Sequence, residues 1–334
     1  MKKYPFIFCL SMLILMGCTK QIEFTGEESD PMPVMVSYAE ADSTLRVRMT
    51  MSRFFLSSDT VKPIDNAVFN VELNGGTPNA RFFYQGKSMY GSSLLLHEGD
   101  TLTLHATVPG YGEVKAGCRV PQRPNVTDII VTKDDVYVDT LWSGMPYDSD
   151  ISNIYFYGEI GFKFTLADRP GQDDYYLVKA YMIKDSTGKR KPLTVSVDDD
   201  LIYEDAMSDD ILGIGTTVDL SYGTNVIFTD NNINGRRHAI EGKVMIDGYG
   251  SYDCDTNLRV WIEVCAVSRD TYLYLATVKA QSYSDDEMGF LSEPVQIHTN
   301  VEGGIGILGA VTPVRYTLFP TESDALNHAN THNR

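Results

Sequence analysis

The sequence predicts a mostly β protein: an N-terminal immunoglobulin-like β-sandwich, then a larger second β-sandwich domain with one short helix. Three observations predict it. From Val34 to Val120, short alternating or β-branched runs are separated by turn residues, which amounts to about seven strands in some ninety residues. Two close prolines, Pro121 and Pro124, then interrupt the pattern, and prolines stop ladder pairing and stiffen the chain. Beyond Asn125 the strand period resumes, and helical spacing recurs only within Asp270 to Ser282, where apolar residues return at three and four.

The first element is not part of either sandwich. Lys2-Lys3 begin it, an apolar core runs from Tyr4 to Met16, and Gly17 stands directly before Cys18. This is the pattern of a bacterial lipoprotein signal. Residues 1–17 are expected to be removed, and Cys18 to carry the lipid as the new N-terminus. A secretory signal cleaved elsewhere and an uncleaved anchor fit less well, because the apolar core falls short of the about 20 residues that span a bilayer. A diacylglyceryl cysteine supplies two acyl chains, and two chains anchor stably where one does not. Residues 18–33 follow as a tether, polar, acidic and broken by Pro31 and Pro33.

The first sandwich is assigned to 34–120. Leu45 to Met51 and Ala67 to Leu73 alternate with period two. Asn74-Gly75-Gly76 marks a hairpin, since Asn and Gly accept positive φ. Thr101 to Val108 and Tyr111 to Val120 complete the set. Val120 to Pro124 is read as the linker, and the second domain as 125–316. Its strands are placed at Ile129–Val131, Ile154–Leu166, Tyr175–Ile183, Asn225–Phe228, Ala239–Asp247, Asn257–Ser268 and Val295–Thr299. Residues 184–222 read as a long acidic insertion, with Lys189-Arg190-Lys191 in a turn; such loops are often functional, and a solvated excursion fits equally. The tail, 317–334, holds little apolar surface and is expected to be disordered. His328 and His332 within it lack a nearby third ligand.

The charge narrows the function. A net −17 from 45 acidic and 28 basic residues argues against nucleic acid, which requires clustered Lys and Arg. Of the cysteines, Cys9 leaves with the leader and Cys18 is consumed by lipid. Cys254 and Cys265 form a disulfide if their strands are neighbours; burial as small apolar thiols is the preferred reading for them and for Cys118.

One motif suggests a metal. Asp230, Asn232 and Asn234 with Gly235 and Glu241 match the twelve-residue calcium loop. An EF-hand needs flanking helices, however, and here the flanks read as strands; Arg236 and Arg237 also lie inside the loop. A tight turn using Asn and Gly is preferred over calcium, so no metal and no cofactor beyond the lipid on Cys18 is expected. Asp198-Asp199-Asp200 and Asp209-Asp210 read as solvated loops, because a hard cation needs about six oxygens in one place. No Gly-x-Ser-x-Gly elbow, Gly-rich phosphate loop or His-Glu-x-x-His occurs, and His97, His105, His238 and His298 lack ligand spacing. No catalytic residue is assigned. Tyr155-Phe156-Tyr157, Tyr175-Tyr176, Tyr249, Tyr252, Trp142 and Tyr283 crowd the second domain, mostly as core and cross-strand pairs.

Several segments together resemble a known family. They are the lipidated cysteine, Pro63-Ile64-Asp65-Asn66-Ala67-Val68, Val120-Pro121, and Asp168 to Tyr176. Phe228-Thr229-Asp230 to Gly235, Tyr272-Leu273-Tyr274 and Asn300 to Gly309 complete the series. In this order they resemble the outer-membrane lipoproteins catalogued as domain of unknown function 4249, over nearly all of residues 18–316. The resemblance implies a Gram-negative outer membrane and a TonB-dependent transporter as partner. The family has no established catalytic residues, so none carries over. Its recurring Asp-to-Gly turn falls on Asp230 to Gly235. Leu308, where the family often has Phe, and the polar tail after Tyr316 depart from it. The expectation is a non-enzymatic, lipid-anchored accessory to a TonB-dependent nutrient transporter, with ligand and membrane face unspecified. The alternative is a stand-alone surface lipoprotein that binds glycan or peptide. Asn300 to Gly309 is read as a buried terminal strand in preference to a partner contact, since Gly in a strand marks close backbone approach.

Overall fold

The computed structural model describes residues 30–54, 57–141, 153–184, 189–206, 218–250, 259–288 and 295–319. The first strands are β1 (Pro33–Glu40), β2 (Thr44–Met51), β3 (Val68–Leu73), β4 (Phe82–Gly86), β5 (Met89–Leu95), β6 (Thr101–Val108) and β7 (Gly112–Arg119). After the prolines come β8 (Asn125–Leu141), β9 (Asn153–Ala167), β10 (Tyr175–Lys184), β11 (Lys189–Val197) and helix α1 (Asp200–Ala206). Then follow β12 (Tyr222–Gly223), β13 (Val226–Thr229), β14 (Arg237–Gly250), β15 (Arg259–Val267), helix α2 (Arg269–Met288) and β16 (Ile305–Phe319).

Thirteen strands form one sheet in the order β4-β5-β2-β1-β16-β15-β10-β11-β14-β9-β8, with β12 beside β11 and β13 beside β10. A second sheet, β3-β6-β7, is separate. Period two explains what lies between them. In β2, Leu45, Val47 and Met49 point inward while Arg46 and Arg48 face out; in β6, Leu102, Leu104 and Ala106 do the same toward them. The two apolar faces close on one core that also takes Met35, Val71 and Val114. A second core lies farther along the large sheet, around Phe162, Phe164, Tyr176, Phe228 and Ile262. A third lies under α2, where Tyr272, Ala276 and Ala280 cover Leu177, Ile227, Cys265 and Val267.

The two ends of the described chain meet in the middle of the large sheet. β1 pairs parallel with β16 from Val34 opposite Ile305 to Glu40 opposite Val311. Leu308 and Ala310 thereby enter the first core, while Leu318 on the same strand enters the second core. Asn300 to Gly309 is thus in part a buried strand, as its glycines suggest. Gly306 has φ +120°, and a Cβ there would lie 2.0 Å from the Met35 carbonyl oxygen, so only glycine permits this approach. Asn300 fixes the entry, accepting from the Leu308 N–H and donating to the carbonyls of Leu308 and Gly117.

A charge ladder crosses the same strands. Lys179 of β10 stands opposite Glu263 of β15, and Glu263 opposite Arg315 of β16. Lys179 Nζ lies 2.9 Å from Glu263 Oε2, Arg315 Nε also binds Glu263, and Arg315 Nη2 reaches Glu40 of β1 at 2.7 Å. Between the two prolines, Arg123 binds Glu98, Asp42 and the Pro313 carbonyl, so the 120–124 connection is held rather than loose.

Several expectations need correction. The acidic stretch 184–222 contains β11, α1 and β12: Leu193, Val195 and Val197 alternate inward, a pattern its acid content obscures. Lys189-Arg190-Lys191 begin β11, and the Arg190 guanidinium stacks 4.8 Å over the Tyr181 ring. To the one short helix expected, the structure adds α1, and α2 continues to Met288. Val295 to Thr299 is not a strand. Its N–H groups turn to α2 instead, Val295 donating to Gln281 Oε1 and His298 to Thr277 Oγ1. β8 is far longer than Ile129–Val131, and β16 carries three residues into the stretch read as tail.

Candidate functional site

Buried carboxylates gather where β13 ends. Val226 to Thr229 are all buried, and the chain leaves them through a turn from Asp230 to Gly235. The Asp230 N–H donates to the Asp174 carbonyl, Ile233 N–H to Asp230 O, and Arg236 N–H to Ile233 O. Gly235 has φ +68°, and its N–H donates to Asp168 Oδ2 at 2.8 Å. The other Asp168 oxygen accepts from the Tyr176 hydroxyl at 2.5 Å. Asn234 donates to Asp230 Oδ2 at 2.6 Å and to the Gln172 carbonyl at 3.0 Å, and accepts from the Gly171 N–H. Two segments distant in the chain, Asp168 to Tyr176 and Phe228 to Gly235, therefore build one structure.

Asp205 of α1 closes the far side by accepting from both the N–H and the hydroxyl of Thr229, each at 2.6 Å, and from Asn231. Asp168, Asp174, Asp205 and Asp230 are all nearly buried. Burial, with the nearby Asp168 and Asp174 carboxylates, pushes Asp230 up to about 6, although backbone N–H groups oppose the rise. Arg169 pairs with Asp174 at 3.1 Å.

The calcium-like residues all have partners within the fold. Asp230 holds Asn234, Asn232 donates to the Leu201 carbonyl at 2.9 Å, and Glu241 stands on β14 opposite Lys163 of β9 and is ion-paired to it. Among the described residues, no group of three or more His, Cys, Asp or Glu side chains is placed to hold a metal ion.

An open cleft of about 370 Å³ lies at the start of α1, lined in part by Asp198, Asp199, Asp200, Asp219, Tyr203 and Tyr222. Asp199 caps α1 by accepting from the Ile202 N–H, and its other oxygen faces His238 Nε2 at 2.8 Å. Tyr203 and Tyr222 are exposed. Carboxylates there can accept from hydroxyl donors, and the exposed tyrosine rings can stack on a sugar or a cationic side chain. Sequence reasoning singled out Asp198 to Asp200 but missed Tyr203, Asp219 and Tyr222. Their signal was the aromatic residues scattered through an acidic run.

The remaining candidates fall as follows. Cys18, Cys254, Asp209, Asp210, Trp142, Tyr252, His328 and His332 lie outside the described residues, as do the side chains of Tyr155, Phe156, Tyr249 and Tyr283. Cys118 and Cys265 are buried free thiols, each pushed up to about 12 by burial. His97, His105 and His298 each face a carboxylate: Asp42 at 3.4 Å, Glu113 at 2.6 Å and Asp270 at 2.8 Å. Tyr176 packs on Phe228 and Tyr175 on Tyr272, whereas Tyr157 stacks with Tyr137 on the surface.

No curated protein matches the chain. A family described as Domain of unknown function (DUF4249) matches residues 19–317, a span that takes in both arms of the Asp-rich turn and the paired chain ends. The strands that build this turn and join first to last are therefore those of a DUF4249 protein, and the chain belongs to that family.

Proposed function

We propose that this protein is a non-enzymatic lipoprotein of the outer membrane, anchored through Cys18 and acting as an accessory to a TonB-dependent nutrient transporter. One observation carries most weight. The segment behind the anchor runs directly into β1, which is clamped between β2 and β16 and tied by Glu40 to the Arg315–Glu263 ladder. A tether entering there holds both sandwich cores, as a membrane-bound scaffold requires. The buried carboxylates support the same reading, because their oxygens are spent on the turn around Asp230.

The test is purification of the lipidated protein from mild detergent, followed by identification of what accompanies it. Recovery of a TonB-dependent transporter is expected, and its repeated absence overturns the accessory role. Mass spectrometry of Cys18 in the same material tests the anchor. The cleft lined by Tyr203, Tyr222 and the aspartates favours a second reading, a stand-alone glycan- or peptide-binding lipoprotein. Affinity for glycans or peptides without any transporter would establish it.

A further inference from the structure

β2, β4, β5 and the turn between β4 and β5 contain no aspartate or glutamate, in a chain with 45 acidic residues. The outward face of these strands carries apolar, basic and neutral polar side chains. Arg48 stands opposite Val36 on one side and Met89 on the other; Arg46 stands opposite Gly91, which in turn faces Phe83. The Phe83 ring lies over Gly91, so close that a Cβ there would come within 2.9 Å of it. Val34 continues the face to Ile305 of β16. Phe83 is 52 % exposed, Val61 50 % and Ile305 39 %. An open cleft of about 560 Å³ among Val36, Arg48, Thr50, Val61, Tyr84 and Lys87 lies on the same side. Arg46, Arg48 and Lys87 join no ion pair among the described residues.

The inner side of the same strands packs the first core, so the fold does not require this composition on the outer side. We propose that the face rests on the bilayer that holds the Cys18 lipid. Phe83, Val61 and Ile305 meet the headgroup boundary there, and the three cations meet anionic phospholipid. The inference rests on the lipid-anchor reading. Two observations select a bilayer as the occupant. The segment from Cys18 to Asp30 spans at most about 40 Å when fully extended, and it ends at the base of β1, beside the exposed Met32. The charge is complementary as well. The chain carries a net −17, which anionic headgroups repel, so a tethered molecule turns its unpaired basic face toward them.

The test places the lipidated protein on vesicles of phosphatidylcholine with phosphatidylglycerol, or of phosphatidylcholine alone, using brominated acyl chains as quencher. Phe83→Trp reports on the face, and Tyr137→Trp, on β8 at the opposite edge of the sheet, reports on the remainder. The signal is the quenching gained over the unsubstituted chain. Quenching of the tryptophan at 83 but not at 137 is expected on the anionic vesicles, and less on phosphatidylcholine. A basic side chain against an anionic surface favours contact about fivefold. Arg46→Gln with Arg48→Gln is therefore expected to weaken contact ~30-fold and abolish the quenching, while the protein still floats with the vesicles. Flotation without quenching at position 83, or with equal quenching at both positions, overturns the face and leaves it to a protein partner. Failure to float, with Cys18 bare by mass, overturns the anchor and the face together.

Discussion

Replacing Glu263 with Gln tests whether the charge ladder joins the chain ends. Glu263 is 1 % exposed and receives Lys179 Nζ at 2.9 Å, the Tyr181 hydroxyl at 2.6 Å and Arg315. Burial alone would raise its carboxyl, yet Lys179, Tyr181 and Arg315 together hold it at about 2 against an ordinary 4.5. A depression of that size favours the folded state by up to ~3 kcal/mol once the group is ionised. Lys179 and Arg315 are about one-third exposed, and solvent screening lowers the figure to ~2 kcal/mol. Because the folded value is depressed, this contribution is present above pH 4.5 and is lost as pH falls toward 2. Urea denaturation of the unsubstituted and E263Q chains across that range is the assay. The expected difference is ~2 kcal/mol at neutral pH, shrinking to nothing near pH 2. A neutral-pH difference below ~0.5 kcal/mol, or one that stays constant into acid, would show that the Glu263 charge does not stabilise the ladder.

Three further outcomes are expected. Asp230 is raised to about 6, so its ionisation opposes folding, and stability is lost as pH climbs from about 4 to about 6. Asp230→Asn keeps an acceptor for Asn234 and is expected to be more stable by ~1–3 kcal/mol at neutral pH, with no gain below pH 4; equal stability at neutral pH sinks this account. Gly306→Ala drives a Cβ into the Met35 carbonyl and is expected to cost more than ~2 kcal/mol by chemical denaturation. A loss under ~1 kcal/mol would show that β1 and β16 can separate slightly without penalty. Calcium addition and chelation are expected to leave the thermal midpoint unchanged, since Asp230, Asn232 and Glu241 already hold Asn234, the Leu201 carbonyl and Lys163. A calcium-dependent rise by scanning calorimetry would show that these side chains rearrange around the ion.

Local pattern carried far in this chain. The alternation in Leu45 to Met51 and in Thr101 to Val108 placed both strands and their buried faces, because a side-chain period of two leaves one face dry. The apolar spacing after Asp270 located α2, and Ser268, which accepts from the Thr271 N–H, caps it. The Asp-to-Gly stretch at 230–235 was legible as a turn for the reason it folds as one: Gly235 adopts positive φ and its neighbours carry short polar side chains. The strand in 189–197 was not legible, because charged residues at its start outweighed three inward-pointing ones. Val295 to Thr299 misled in the opposite direction, since β-branched residues also suit an extended segment whose N–H groups bind helix side chains.

Read from the chain alone, this protein is mostly β and acidic; both follow from composition or from spacings of a few residues. Period two says which side of a strand is buried but not which strand lies beside it. The meeting of β1 with β16, the sharing of β16 between two cores, and the union of Asp168 with Gly235 required the folded chain. Those contacts join residues far apart along the backbone, and they form because packing and hydrogen-bond satisfaction are settled across the whole sheet at once.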